Sequence, residues 1–267
     1  MLRTLAVITG ASSGIGATFA RKLAPDYDLL LVARRRDRLQ QLAAELTGSC
    51  ATTVEIFEAD LSVSGEAASL AERLAADPRL ALLVNNAGFG TLGRFWEASL
   101  ASQELMHKLH VMATVRLTHA ALGNMVPRNR GAIINVASVA GFARSQGSVS
   151  YCATKSWMNI FSEGLYLELR GMGSKVMVQT LCPGFTYSEF HDTMAINREK
   201  LAGKALWLTA EQVVEASLRG LQEGRLYVIP GWRYRLLTAI ISKLPSSLRL
   251  AMEQARGNAR IVQEAKQ

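Results

Sequence analysis

Cysteine is nearly absent from this chain. Its 267 residues hold three, Cys50, Cys152 and Cys182, with no C-x-x-C pair and no ligand-like spacing. That argues against a disulfide framework or a metal site and for a reducing, cytoplasmic compartment. Long apolar runs are missing too, and none reaches the ~18 residues of a membrane span. The first strand-like run begins at about Leu5, which leaves no room for a cleavable signal segment before it. Charged residues make up 19% of the chain and hydrophobic ones 49%, a balance that excludes a disordered polymer and supports a sizeable core. No internal repeat or low-complexity linker divides the chain, so one large α/β domain is the economical reading.

Acidic residues are in deficit, and the net charge is +8. Residues 225–267 carry eight Arg or Lys against two Glu, which is six of those charges, and the body is nearly neutral. That tail holds no nucleic-acid-binding module, so no nucleic-acid partner is expected. In it Leu236, Leu237, Ile240, Ile241 and Leu244 recur at helical spacing beside Arg233, Arg235 and Lys243, behind Trp232 and Tyr234. Residues 231–267 therefore read as a basic amphipathic helical extension. Such a helix suits the core, a partner subunit or a weak membrane-surface contact.

Short apolar runs alternate with helical patterns over residues 1–230. The expected strands are 5–9, 29–33, 52–57, 81–85, 132–137, 175–181 and 226–229. The expected helices are 14–24, 36–46, 64–76, 98–126, 150–171 and 210–222. Strands apolar on both faces and separated by helices predict a doubly wound, seven-stranded parallel sheet with helices on each side. Residues 184–209 and the stretch after Pro230 fall outside the alternation.

The first strand runs into TGASSGIG, Thr9–Gly16. Gly10, Gly14 and Gly16 allow a tight turn and a close approach of backbone to a pyrophosphate at a helix N-terminus, the device of a Rossmann dinucleotide site. The second strand ends in VARRR, without the acidic residue that would hold a ribose 2′-hydroxyl. Arg34 first, and Arg35 second, would instead meet a 2′-phosphate, so NADP(H) is expected over NAD(H). Arg36 and Arg38 read as the start of the next helix.

SYCATKS puts Tyr151 and Lys155 four apart on one helical face. A tyrosine with a pKa near ~10 needs to lose about three units to exchange protons near neutrality, and a neighbouring ammonium favours the phenolate. Ser138, at the end of AIINVAS, can hydrogen-bond the same substrate oxygen.

TGASSGIG, NNAG (Asn85–Gly88), Ser138, YCATK and the CPG of Cys182–Gly184 together resemble the short-chain dehydrogenase/reductase family over about residues 4–230. The tail VIPGWRYRLL and GFTYSEFH are similar to a bacterial subgroup of unknown substrate specificity. The resemblance implies an NADP(H)-dependent carbonyl reductase or alcohol dehydrogenase acting on a small molecule, with Ser138, Tyr151 and Lys155 catalytic. It implies that Gly10, Ser12, Ser13 and Ile15 line the pyrophosphate and that Asp60 and Leu61 flank the adenine. Asn86, Ala87 and Gly88 would pass beside the ribose that Lys155 also holds, and Pro183, Gly184, Thr186 and Ser188 would lie near the carboxamide. It further implies a homodimer or homotetramer joined through the helices near 98–126 and 150–171.

One position departs from the family pattern. Where the family carries an asparagine that supports a proton-relay water, the count along LHVMATVRL falls on His110. Histidine both donates and accepts and titrates near neutrality, so His110 is expected either as a substituted relay or as a bystander. On the substrate side, 185–209 stands where the family places its lid. There Phe185, Tyr187, Phe190, Met194, Leu206 and Trp207 suggest an apolar wall, with Phe89, Phe95 and Phe142 nearby. Two other readings stand beside the reductase: a nucleotide-binding sensor or scaffold with weak chemistry, and a membrane-surface reductase of lipid carbonyls.

Overall fold

The computed structural model describes residues 3–189 and 203–264. Seven strands form one sheet in the order β3-β2-β1-β4-β5-β6-β7, and every pairing is parallel. The strands are β1 (Leu5–Thr9), β2 (Asp28–Ala33), β3 (Val54–Glu58), β4 (Leu80–Asn85), β5 (Ala132–Val136), β6 (Met177–Leu181) and β7 (Tyr227–Val228). Every residue of β1, β2 and β5 is buried, which is why these runs are almost wholly apolar.

Alternation along the strands divides the core in two. Ala6, Ile8, Leu29, Leu31, Val84 and Ile134 face α1 (Gly14–Leu23), α2 (Arg36–Ser49) and α7 (Ala210–Gln222). Leu5, Val7, Leu30, Val32, Leu83 and Ile133 face α3 (Ser64–Ala76), α5 (Thr114–Met125) and α6 (Val149–Gly171). Winding reverses between β1 and β4. Loops leaving the carboxyl ends of β1, β4, β5 and β6 therefore converge on one crevice, where open α/β sheets bind ligands.

Three elements differ from the sequence reading. The helix expected over 98–126 is α4 (Leu100–His107), a π-helical segment (Lys108–Ala113) and α5, in unbroken succession. Strand β7 is two residues long, a short edge that pairs with Thr180 and Leu181. The tail is two helices, α8 (Trp232–Lys243) and α9 (Ser246–Glu264), divided at Pro245, whose ring cannot continue a helix. Helix α8 turns Tyr234 and Thr238 inward and leaves Leu236, Leu237 and Ile240 exposed. Its packing face is thus not the leucine stripe that the periodicity singles out. Phe190 and Met194, expected in the substrate wall, lie outside the described residues.

Candidate active site

The glycine loop and the loop after β4 are tied into one floor. Thr9 Oγ1 accepts from the backbone N–H groups of Asn86 at 2.9 Å and Ala87 at 3.0 Å and donates to Val84 O. Asn86 Nδ2 returns the contact to Thr9 O and Gly10 O. Gly10 has φ +65°, and a Cβ there would lie 2.8 Å from Asn86 Nδ2 and 2.9 Å from Ala87 Cα. Conformation and space both require glycine at that turn.

Helix α1 opens beside this floor with Ser13 as its N-cap, without a side-chain cap bond and with no acidic residue in its first turn. Neither its cap side chain nor a first-turn carboxylate therefore occupies the first N–H groups. Arg34 lies 3.6 Å from Asp60, whose carboxylate also accepts from Ser62. Arg35 reaches the glycine loop itself, with Nη2 3.0 Å from both Ser12 Oγ and Ser13 Oγ. Helix N–H groups, two arginines and hydroxyls fit the phosphates of a dinucleotide. Gly10, Ser12, Ser13, Gly14, Ile15 and Gly16 would hold its pyrophosphate, and Arg34 and Arg35 would face its adenosine end. Arg35 has the closer link to the loop, and Arg38 does more than begin α2, since it pairs with Glu189.

Helix α6 supplies the chemistry-bearing side chains. Ser138, leaving β5, hydrogen-bonds the Tyr151 phenol, and its Oγ accepts from Ala140 N at 3.1 Å. Val139 N donates to Pro183 O at 3.0 Å, which fixes the β5 and β6 ends against one another. Lys155 Nζ donates to Val136 O at 2.8 Å and stands 5.9 Å from the Tyr151 ring centre. Ser138, Tyr151, Lys155, Pro183 and Gly184 thus meet on one side of the crevice. The Tyr151 phenol is not depressed as the sequence reading expects. Burial pushes it up to about 12, with the Ser138 hydrogen bond opposing, while burial draws the Lys155 ammonium down to about 8. Desolvation is the leading cause of both shifts, because both groups are enclosed.

His110 is fully buried in the π-helical segment. Phe89 N lies 3.2 Å from its Nε2, and its Nδ1 lies 3.0 Å from Thr154 Oγ1. A backbone N–H can only donate, so Nε2 accepts and the proton resides on Nδ1, which donates to Thr154. The Thr154 hydroxyl then donates to Tyr151 O at 3.0 Å. Burial, and secondarily Lys155 and His107, hold the imidazole well below its ordinary pKa and therefore neutral. Gly88 makes room, since a Cβ there would fall 2.7 Å from Nε2. Both nitrogens are spent on the protein, and the side chain bridges the Phe89 loop and helix α6 rather than presenting a free edge to a relay water.

The aromatic residues expected on the substrate side form separate groups. Phe185 and Tyr187 lie 5.4 Å and 5.0 Å from Trp207, ring centre to ring centre. Phe89 lies 6.3 Å from His110, which in turn lies 6.0 Å from Tyr151. Phe142 packs 5.8 Å from Tyr227 and lines a groove with Leu237, Ile240, Ile241 and Leu244, so it serves the tail. Phe95 is exposed. Tyr234, which sequence reasoning assigned to the tail alone, accepts from Phe185 N at 3.0 Å and donates to Leu206 O at 2.7 Å. It anchors both flanks of the substrate-side segment. Only its position just after the last strand hints at this, because its partners are distant backbone groups.

Residues 4–199 match the family model described as short chain dehydrogenase. The chain belongs to the short-chain dehydrogenase family. An NADP-dependent 3-hydroxy acid dehydrogenase of Salmonella typhi is 33% identical over 79% of this chain and 86% of its own length. A short-chain dehydrogenase from Sphingobium yanoikuyae, solved in complex with NADPH, superposes with a TM-score of 0.81 at 34% identity, covering 91% of this chain and 97% of that one. A family member from Burkholderia phymatum in complex with NAD gives a TM-score of 0.78 at 27% identity, over 89% of this chain and 92% of that one. Short-chain dehydrogenases are oxidoreductases of alcohol and carbonyl groups, and the solved relatives bind either nicotinamide dinucleotide. Among the described residues no helix is long and apolar enough to cross a membrane, and no cluster of ligating side chains could hold a metal ion.

Proposed function

We propose that this chain is an NADP(H)-dependent oxidoreductase that interconverts a carbonyl compound and its alcohol, with Tyr151 as the acid and base. The observation that carries the reading is the Ser138–Tyr151 hydrogen bond with the Lys155 ammonium beside it, set across the crevice from the glycine loop. A bound nicotinamide coenzyme supplies or accepts the hydride. In the reducing direction the Tyr151 phenol, kept protonated by burial, gives its proton to the substrate oxygen. Ser138 donates to the same oxygen and stabilises its developing charge. Lys155 offsets the phenolate left behind, and its bond to Val136 O sets the ammonium in place. His110 is a positioning residue that holds the Phe89 loop to the helix carrying Tyr151.

Arg34 and Arg35 support NADP(H) over NAD(H), because a guanidinium fork matches a 2′-phosphate and no carboxylate ends β2. Phe185, Tyr187 and Trp207 support a substrate with an apolar body. The test is Tyr151→Phe. Across a panel of aldehydes and ketones its turnover should fall at least about a thousandfold, while NADPH still quenches tryptophan fluorescence with wild-type affinity. Wild-type turnover by the variant overturns the assignment.

A further inference from the structure

The loop after β6 carries an acid into the basic end of the nucleotide crevice. Glu189 Oε2 lies 2.8 Å from Arg35 Nη1, and its Oε1 lies 3.3 Å from Arg38 Nη1. The Ser13 hydroxyl hydrogen-bonds the same carboxylate. Arg35 Nε and Nη2 go to Ser12 and Ser13. One residue earlier, Ser188 sits against the glycine loop, where a Cβ on Gly14 would fall 2.9 Å from Ser188 Cβ. Residues 188 and 189 therefore cross from the glycine loop to the start of α2. Their carboxylate takes two guanidinium groups and a hydroxyl, the donor set that a phosphate monoester would use. The pairs are about half exposed, so the carboxylate can be displaced at modest cost.

We infer that Glu189 is an internal competitor for the phosphate site formed by Arg35, Ser12 and Ser13, and that it sets the ratio in which the protein binds NADPH and NADH. The inference rests on the proposal that these arginines receive a 2′-phosphate. That phosphate carries close to two negative charges at neutral pH, and it must displace the carboxylate or share its arginines with it. NADH brings a neutral ribose to the same place and meets no such penalty. Glu189 thus moderates the preference that the arginines create.

Direct binding of NADPH and NADH to the full chain, by titration calorimetry or fluorescence, tests this without turnover. Glu189→Gln keeps the shape and removes the charge. It should tighten NADPH about tenfold, equivalent to about 1.4 kcal/mol, and change NADH less than about twofold. The gain should collapse in 1 M salt, where the screening length is about 3 Å. Equal tightening of both coenzymes, or no change in their ratio, overturns the inference. Arg35→Ala separates this from the reading beneath it. If that variant keeps wild-type NADPH affinity, the 2′-phosphate assignment falls. If it loses NADPH selectively while Glu189→Gln leaves the ratio unmoved, only the competitor role falls.

Discussion

Lys155 is an ammonium in a place that penalises charge, and that conflict sets the pH at which the site works. Its side chain is nearly inaccessible, its one described hydrogen bond goes to a neutral carbonyl, and burial draws its pKa down to about 8. For a base whose pKa is depressed on folding, the cationic form is present below that value and lost as pH rises through it. Carbonyl reduction leaves a phenolate on Tyr151, and the cation is what offsets it. We therefore expect kcat for reduction, measured with saturating coenzyme and ketone, to be level up to about pH 8. Above it the rate should fall, approaching tenfold per pH unit. His110 adds no limb near pH 6 to 7, since its imidazole is neutral already. A profile that stays flat from pH 7 to 10 would refute this role for Lys155.

At the scale of an element, the π-helical turn is what makes His110 a bridge. An extra residue in the turn shifts the side chains that follow and re-aims them, and such bulges recur at functional sites. Here the turn joins the Phe89 loop, through Thr154, to the carbonyl of Tyr151. Thr154→Val keeps the volume and removes the middle link, leaving a buried imidazole N–H without an acceptor at a cost of about 1–3 kcal/mol. Its melting temperature should drop by several degrees, and kcat should fall with little change in KM, because the displaced group acts in the reaction. Thr154→Ser, which restores the hydroxyl, should recover most of both. A Thr154→Val protein with wild-type melting and kcat would return His110 to a bystander.

The same turn shows what could be read from sequence. Periodicity across 98–126, carried by Leu105, Leu109, Met112, Val115, Leu117, Leu122 and Met125, reveals a long helix. Of that stripe Leu117 and Met125 face the core, while Leu105, Met112 and Val115 stand exposed. A one-residue change of helical pitch leaves that pattern almost intact, so the break was invisible. The strands were legible for the opposite reason, since burial on both faces leaves unbroken apolar runs. The glycine loop, Ser138, Tyr151 and Lys155 were legible because each motif is local. The long-range pairings were not: Tyr234 with Phe185 and Leu206, and Glu189 with Arg35, join residues more than twenty positions apart. Their donors and acceptors carry no local signature, and an exposed leucine stripe on α8 outweighed the one tyrosine that packs.

At the scale of the whole molecule, α6 keeps an outward face that the single chain does not use. Val149, Ile160 and Leu167 stand eleven and seven residues apart, which aligns them along one stripe of the helix. Ile160 is 66% and Leu167 68% exposed. Gly164 lies between them, and nothing stands within 4 Å of where its Cβ would be. The chain's own packing gives no reason for a helix-weakening glycine there, whereas close approach by another helix does. On the neighbouring α4, Leu100 and Leu105 are exposed as well. A second copy that covers these faces would bury roughly 800 Å² on each partner, and each large apolar side chain taken from water contributes up to about 1.5–3 kcal/mol. The protein should therefore run as a dimer or tetramer in light scattering at micromolar concentration. An Ile160→Glu, Leu167→Glu double variant should run as a monomer, because its two carboxylates would have to be buried unpaired on association. Both positions are exposed in the single chain, so its far-ultraviolet circular dichroism should stay unchanged. A wild-type protein that is monomeric at these concentrations, or a variant that still assembles, would show that this face serves no partner copy.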